Sequence, residues 1–585
     1  MKRTVGLKRR LGLAAGVAIA LALAACSKPE APKAAEPAKP KVDWTATVNE
    51  WIESDFKANP STAFYEGRVD YAGQLPDYSE AGLAAENKRL HDWKTRIEGI
   101  DTTGFTDAQK FERDYFLAYL DGQIFWRETA DWPHKNPQFY GLDPSVYFDR
   151  PYGDAAKRMK DYTLWASNVP KAVEQIKANL SKAPIPAAYV DIGEKTLADM
   201  GGFLRKEVPG IYKGAGDKAA QDEFAKANKA AADAFDSLKP FFKGLEKTQA
   251  KDFAMGPDLF AKMLYATERV DTPLDQLEAI GEADLKRNLA ALDEACKAYA
   301  PGKTTKECIA KAAADKPPGG DFVGYATKQL VELRQFVKDH NVVTIPSDDQ
   351  AKVKQAPSYN AQNSAYIDTP PPFGDPMPAF YNIAAPDPSW SKAEQAAYIP
   401  SKGDLLFTSA HEVWPGHFLQ FLHSNRSPSV FGKVYVGYAF AEGWAHYAEE
   451  MMWDEGLGNG DPETHIGQLT NALLRNVRFL SAIGMHTKGM TLDQSRQMFL
   501  DSGYQDAGNA KQQSARGAYD PAYLNYTMGK LMIRKLRDDW CAKKGAKPDD
   551  KTCWHDFHDA FLAFGGPPIP LVRGAMMGEP AKSVF

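Results

Sequence analysis

Apolar residues recur at intervals of three and four along most of the chain, the period of a helix buried on one face. The pattern predicts helices over 44–59, 80–100, 106–132, 170–183, 192–207, 219–244 and 274–299. It returns over 404–424, 438–455, 469–488 and 521–539. Pro415 and Gly416 interrupt the first of these later helices, and both residues disturb regular helix, so a break near Pro415 is expected. Three stretches lack the helical period. Residues 133–154 are dense in Pro, Tyr, Gly and Asp and read as an aromatic loop, in which Tyr140, Tyr147, Phe148 and Tyr152 either line a cleft or pack the loop itself. Asn341-Val342-Val343-Thr344-Ile345 is rich in β-branched residues and closed by Pro346, which makes it the clearest strand candidate. Residues 356–390 carry irregularly spaced Tyr and Pro, and read either as a proline-rich connector or as strands near 364–367 and 379–382. The expected fold is mainly α with a small β-sheet.

The N-terminus departs from this pattern. Lys2, Arg3, Lys8, Arg9 and Arg10 precede an apolar stretch from Leu11 to Ala25 that is too short to span a membrane. Leu23-Ala24-Ala25-Cys26 resembles a bacterial lipobox, which implies cleavage before Cys26 and lipidation of that cysteine; a plain signal peptide or an uncleaved anchor is the alternative. Ser27 after the cysteine resembles outer-membrane sorting in Gram-negative bacteria. The expected location is exported and lipid-anchored to a bacterial membrane, at the outer membrane facing the periplasm. Residues 27–42, rich in Ala, Pro, Lys and Glu, read as a tether.

Loss of the signal segment removes five basic residues and no acid, taking the formal charge from −5 to −10 and arguing against nucleic acid as a partner. Four cysteines remain, in two pairs each twelve apart, and in an exported chain they suggest disulfides Cys296–Cys308 and Cys541–Cys553. Other connectivities, or a zinc site on the four thiolates, are the competing readings. The length suggests several domains. No second linker as plain as 27–42 appears, so a large helical body with subdomains is the simpler reading.

Candidate chemistry concentrates late in the chain. His411-Glu412-Val413-Trp414-Pro415-Gly416-His417 places two imidazoles and a carboxylate within seven residues, and Glu442-Gly443-Trp444-Ala445-His446-Tyr447-Ala448-Glu449 follows. Catalytic zinc takes three His or Glu ligands and keeps one position for water, and a Glu beside the first His can act as base. The two His are six residues apart rather than four. On a regular helix the second ring would lie roughly 120° from the first. A bulge or unwound turn at Pro415-Gly416 would rephase it. His446, four residues after Glu442, shares its face and either touches the site or packs. Arg475 and Arg478 lie on one flank of the 469–488 helix; one of them could hold a substrate carboxylate, although a structural salt bridge is the commoner fate.

These residues, His411-Glu412-x-x-Pro415-Gly416-His417-x-Leu419-Gln420 and Glu442-Gly443-Trp444-x-x-Tyr447-x-Glu449, resemble the bacterial "domain of unknown function 885" family, grouped with zincin-like metallopeptidases. The resemblance runs from about residue 45 to the C-terminus and is sharp over 405–530. It implies a large helical zincin-like body with a small sheet bordering the metal cleft, whose edge strand holds extended peptide. It implies Zn2+ held by His411, His417 and Glu442, with Glu412 as base. Tyr526 and His486 fall on family positions and are the candidate donors to a developing oxyanion. Two departures stand out: Phe418 replaces a second His that many members carry after His417, and Ala482 replaces an acid upstream of His486. The chain then divides into a signal peptide (1–25), lipidated Cys26 and tether (26–43), a helical N-terminal region (44–340) and a zincin-like catalytic region (341–585). The expected function is zinc-dependent hydrolysis of peptides. The alternatives are a zinc-binding cell-envelope lipoprotein without turnover, and an amidase or esterase using the same site.

Overall fold

The computed structural model describes residues 42–585 except 246, 249, 361–363 and 580–584. The signal segment, Cys26 and nearly all of the tether lie outside the described residues. Most of the chain is helix, and many helices start where the sequence supplies a cap. Thr106 with Gln109, Thr304 with Glu307 and Thr491 with Gln494 each form a reciprocal capping box. Among the described residues, no helix is long and apolar enough to cross a membrane.

Nine helices and three strands position the candidate site. They are α1 (Leu274–Tyr299), α2 (Phe322–Asp339), β1 (Ala351–Gln355), β2 (Ala365–Asp368), β3 (Ala379–Ile383), α3 (Lys402–Glu412), α4 (His417–Ser424), α5 (Tyr438–Asp454), α6 (Pro462–Thr487), α7 (Ala507–Tyr519), α8 (Asn525–Lys543) and α9 (Lys551–Leu562). α5 packs along α8, α1 along α6, and α3 against both α5 and α6. The sheet has the order β1-β3-β2: β1 pairs parallel to β3, with Ala351 opposite Ala379, and β2 antiparallel, with Tyr366 opposite Asn382. α2 covers β1, while β2 touches α3. The outer edge of β2 has no strand partner among the described residues.

The main hydrophobic cluster draws on residues from Phe64 to Met577, so packing is continuous across residue 340. A second cluster joins Trp51, Trp93 and Phe116 to Phe431, Tyr435 and Leu571. There the Trp51 indole donates to Tyr435 Oη at 3.0 Å, and Tyr435 donates to buried Asp55 at 2.8 Å.

Three expectations need correction. Residues 341–345 do not form a strand. Val342 and Val343 are buried, but side chains satisfy the backbone: His558 Nδ1 bonds the Val342 carbonyl, His423 Nε2 bonds the Thr344 carbonyl, and the Thr344 N–H donates to Asp559. The strand forms instead at Ala351–Gln355. The helix expected over 170–183 starts at Ala155 and runs through Pro170, because its buried face from Met159 through Val169 to Ile176 is continuous across the proline. The segment 192–207 is not one helix but Ala187–Gly193, a π turn over Glu194–Ala198, and Met200–Lys206. In the aromatic segment Tyr140, Tyr147 and Tyr152 pack: Tyr140 meets Tyr78, and both Tyr147 and Tyr152 meet Phe64.

The cysteines form Cys296–Cys308 and Cys541–Cys553, with Cα separations of 5.7 and 5.9 Å. Each closes a helical hairpin.

Candidate metal centre

α3 ends at Glu412 and α4 begins at His417, and the four residues between are irregular. Pro415, which follows a cis peptide bond, has no N–H to continue the helix. The chain then turns back on itself. The Gly416 N–H donates to the Ala410 carbonyl at 2.9 Å, and Leu419 reaches back to Val413 at 3.3 Å. A Cβ on Gly416 would lie 1.7 Å from the His411 carbonyl oxygen, so only glycine fits this return. The Trp444 indole donates to the Pro415 carbonyl at 2.8 Å and pins the loop to α5. The two-residue excess over a regular helical turn is taken up here, and the His411 and His417 rings meet edge to face with centroids 4.8 Å apart.

α5 adds the third group. Glu442 Oε2 lies 3.3 Å from His411 Nε2 and 3.2 Å from His417 Nε2. The ligand atoms of His411, His417 and Glu442 all fall within 4.8 Å of one another. Bonds of about 2.1 Å in tetrahedral array would set ligand atoms about 3.4 Å apart, close to the two His–Glu separations. Glu442 Oε2 is buried and has no hydrogen-bond partner of good geometry among the described residues, an expensive state unless a cation joins it. The donor set and its orphaned oxygen therefore fit a zinc ion.

Behind His411, Nδ1 bonds Glu449 Oε1 at 2.7 Å. With His411 Nδ1–H donating to Glu449, the Nε2 lone pair faces Glu442, the arrangement of a carboxylate that orients a ligand histidine. Arg475 pairs with the same carboxylate at 3.1 Å. Burial alone would push the Glu449 carboxyl up, but Arg475, His411 and His446 outweigh it and hold the group well below the usual carboxylate range. His446 is fully buried, 3.5 Å from Glu449, and driven down to about 4 chiefly by burial; it backs Glu449.

Glu412 is buried beside the trio. Burial raises its pKa, opposed by His411 and His417. The Tyr526 ring lies nearly parallel to that of His411, centroids 6.3 Å apart. It reaches this place because Gly443 and Gly529 face each other where α5 crosses α8. A Cβ on Gly529 would meet the Ala439 carbonyl oxygen at 2.1 Å and Gly443 Cα at 2.7 Å. Glu442 adjoins one glycine, and Tyr526 lies almost one turn before the other. Tyr438 packs edge-on to Tyr526 at 5.8 Å, and Arg516 Nη2 donates to Tyr438 Oη at 2.9 Å.

The structure does not bring His486 to this group. Its Nε2 bonds the Gly517 carbonyl at 2.7 Å and its ring stacks on Phe260. Burial lowers its pKa to about 4. Phe418 and Ala482 are core residues. A cavity of about 670 Å³ lined by Lys94, Asp121, Tyr265 and Arg269 opens elsewhere and shares no residue with the site.

Tyr438 and Arg516 were not singled out from the sequence, and Glu449 was read only as a motif position, with no role assigned to it. The signal was present for two of them. Tyr438, Glu442, His446 and Glu449 form a polar stripe at spacings of four, four and three along one face of the helix.

The family model "Bacterial protein of unknown function (DUF885)" matches residues 60–576. The chain belongs to this family. Two solved structures share its fold. One, described as a candidate lipoprotein of unknown function from Shewanella oneidensis, is 20% identical with a TM-score of 0.73, over 92% of this chain and 100% of that one. The other, a candidate lipoprotein from Colwellia psychrerythraea, is 18% identical with a TM-score of 0.75, over 92% and 98%. No curated protein matches the chain.

Proposed function

We propose that this DUF885 protein is a zinc metallopeptidase of zincin-like type, anchored by lipid to the cell envelope. The observation that carries the reading is the convergence of His411, His417 and Glu442 with Glu412 alongside. Zinc held by these three residues would supply Lewis-acid polarisation of a water and of a substrate carbonyl. Glu412, adjacent in sequence to a ligand, takes the proton of the attacking water and returns it to the leaving amine. Glu449 and Arg475 hold His411 in one tautomer and orientation. The Tyr526 hydroxyl, on a ring stacked with His411, donates to the oxygen on which negative charge develops. The open edge of β2, against α3, offers backbone groups to an extended peptide.

Two observations support the anchor: the Leu23-Ala24-Ala25-Cys26 sequence and the description of both structural relatives as candidate lipoproteins. Cys26→Ser should release the protein from the membrane fraction. Retention after a high-salt wash would defeat the lipid reading.

The enzymatic reading is tested by metal analysis paired with a peptidase assay on a mixed peptide pool. One zinc per chain and chelator-sensitive cleavage are expected. Glu412→Gln should keep its zinc and lose about 10²–10⁴ in rate. Near-normal turnover in zinc-bound Glu412→Gln excludes Glu412 as the base.

A further inference from the structure

Three guanidinium groups surround the Tyr526 ring. Arg475, Arg478 and Arg516 place their central carbons 5.7, 4.9 and 5.7 Å from its centroid. Two are neutralised. Arg475 pairs with Glu449 at 3.1 Å, and Arg516 with Asp520 at 3.0 Å. Arg478 is 7% exposed, yet no carboxylate pairs with it among the described residues. Among the described residues its hydrogen bond runs from Nε to Gln513 Oε1 at 2.8 Å, and Gln513 is itself held by Asn509. The side chain is thus oriented through Nε while the Nη1–Nη2 end of the fork is left over.

A buried guanidinium without a counter-ion is costly, and two further arginines nearby add repulsion. Burial and then Arg516 depress the Arg478 pKa, the mark of a charge the fold does not compensate. Retaining such a charge beside a candidate active site is expected when a ligand supplies the missing anion. The fork geometry of arginine suits a planar carboxylate bound through two parallel hydrogen bonds.

Position narrows the ligand. Arg475 contacts His411 at 3.3 Å, and Arg478 lies three residues further along α6, about 5 Å down the axis. One extended residue spans about 3.5 Å. We infer that Arg478, flanked by Arg516, is a carboxylate-recognition subsite one to two residues from the scissile bond, so that the enzyme takes peptides carrying a carboxylate at that distance. A free C-terminal α-carboxylate and an acidic side chain share this chemistry. As a statement about substrate, this rests on the peptidase reading; as an anion site, it stands on Arg478 alone.

The test measures binding without turnover, on zinc-loaded Glu412→Gln protein. Three dansylated probes are compared by fluorescence: dansyl-Gly-Ala-Phe as free acid, the same peptide amidated, and dansyl-Gly-Ala-Glu amide. The free acid should bind at least about tenfold tighter than its amide, the worth of one charge-assisted contact. That gap should vanish in Arg478→Met and narrow in Arg478→Lys. The glutamyl amide separates the sources: binding as tight as the free acid assigns the site to an acidic side chain, binding as weak as the other amide to the chain terminus. Arg478→Met should melt at or above the parent temperature, since an unpaired buried charge is removed. Equal binding of acid and amide, no binding of any probe, or a lower melting temperature in Arg478→Met overturns the inference. Failure of the peptidase reading looks different, for then an Arg478-dependent gap persists although the unmutated protein cleaves nothing.

Discussion

His411 is constrained at both ring nitrogens, Nδ1 by Glu449 and Nε2 by its position against Glu442. The ligand residue types could be read from the sequence because they are clustered. The role of Glu449 could not, since it depends on Arg475 arriving from another helix, 26 residues on. His486 failed for a measurable reason. It lies eleven residues after Arg475, which restores the helical face but moves it about 16 Å along α6, beyond reach of the trio. Arg475 and Arg478 looked equivalent in the sequence, and only the structure divides them into a paired arginine and an unpaired one. Glu449→Gln follows from this geometry. The amide can still accept from His411 Nδ1 but cannot neutralise Arg475. Zinc affinity should fall about 10- to 100-fold, as for other groups that orient metal ligands, and be visible in competition with a chromophoric chelator. Unchanged affinity would reduce Glu449 to a partner of Arg475.

At the scale of elements, long amphipathic helices were the legible part. α1, α5 and α6 follow the apolar period, and the break between α3 and α4 sits where Pro415 and Gly416 demand it. Strands were less legible. Val342 and Val343 are buried, but the carbonyls and N–H groups of 342–344 go to side chains of α4 and α9, a choice that local composition cannot reveal. β1, Ala-Lys-Val-Lys-Gln, has a single strongly apolar residue and is defined by its partner β3. The crossing of α5 and α8 was also hidden, because neither Gly443 nor Gly529 signals that it faces the other. Gly529→Ala tests that crossing. The added methyl must displace the Ala439 carbonyl, at a cost of about 1–3 kcal/mol for overpacking. Tyr526 and Glu442 should then separate. The expected readout is a lowered unfolding midpoint with reduced kcat in the enzyme that remains folded. Wild-type activity and midpoint would show that the helices slide apart without consequence for the site.

Across the whole molecule, the region before residue 340 and the region after it are joined by buried charge as well as by apolar packing. Lys530 on α8 is fully buried, 2.8 Å from Asp284 of α1 and 3.1 Å from Glu450 of α5, and Arg287 and Arg534 complete the group. Such networks fix which helix faces which more than they add stability. The helices bearing Glu442 and Tyr526 are thus tied to the N-terminal half, and the chain works as one body. The disulfides act differently. Cys541–Cys553 closes a short loop between α8 and α9, next to Trp540 and Trp554. In the chain-entropy picture such a loop contributes about 3 kcal/mol by restricting the unfolded chain. Tyr526 lies fifteen residues from Cys541 on the same helix, about 22 Å along its axis. The bond should therefore support stability without touching the chemistry. Replacing both Cys541 and Cys553 by Ser should lower the unfolding free energy, read from urea titration, by about 3 kcal/mol while kcat and KM of the folded fraction stay unchanged. A loss of kcat at full folding would mean instead that the clip sets the position of α8, and with it the hydroxyl of Tyr526.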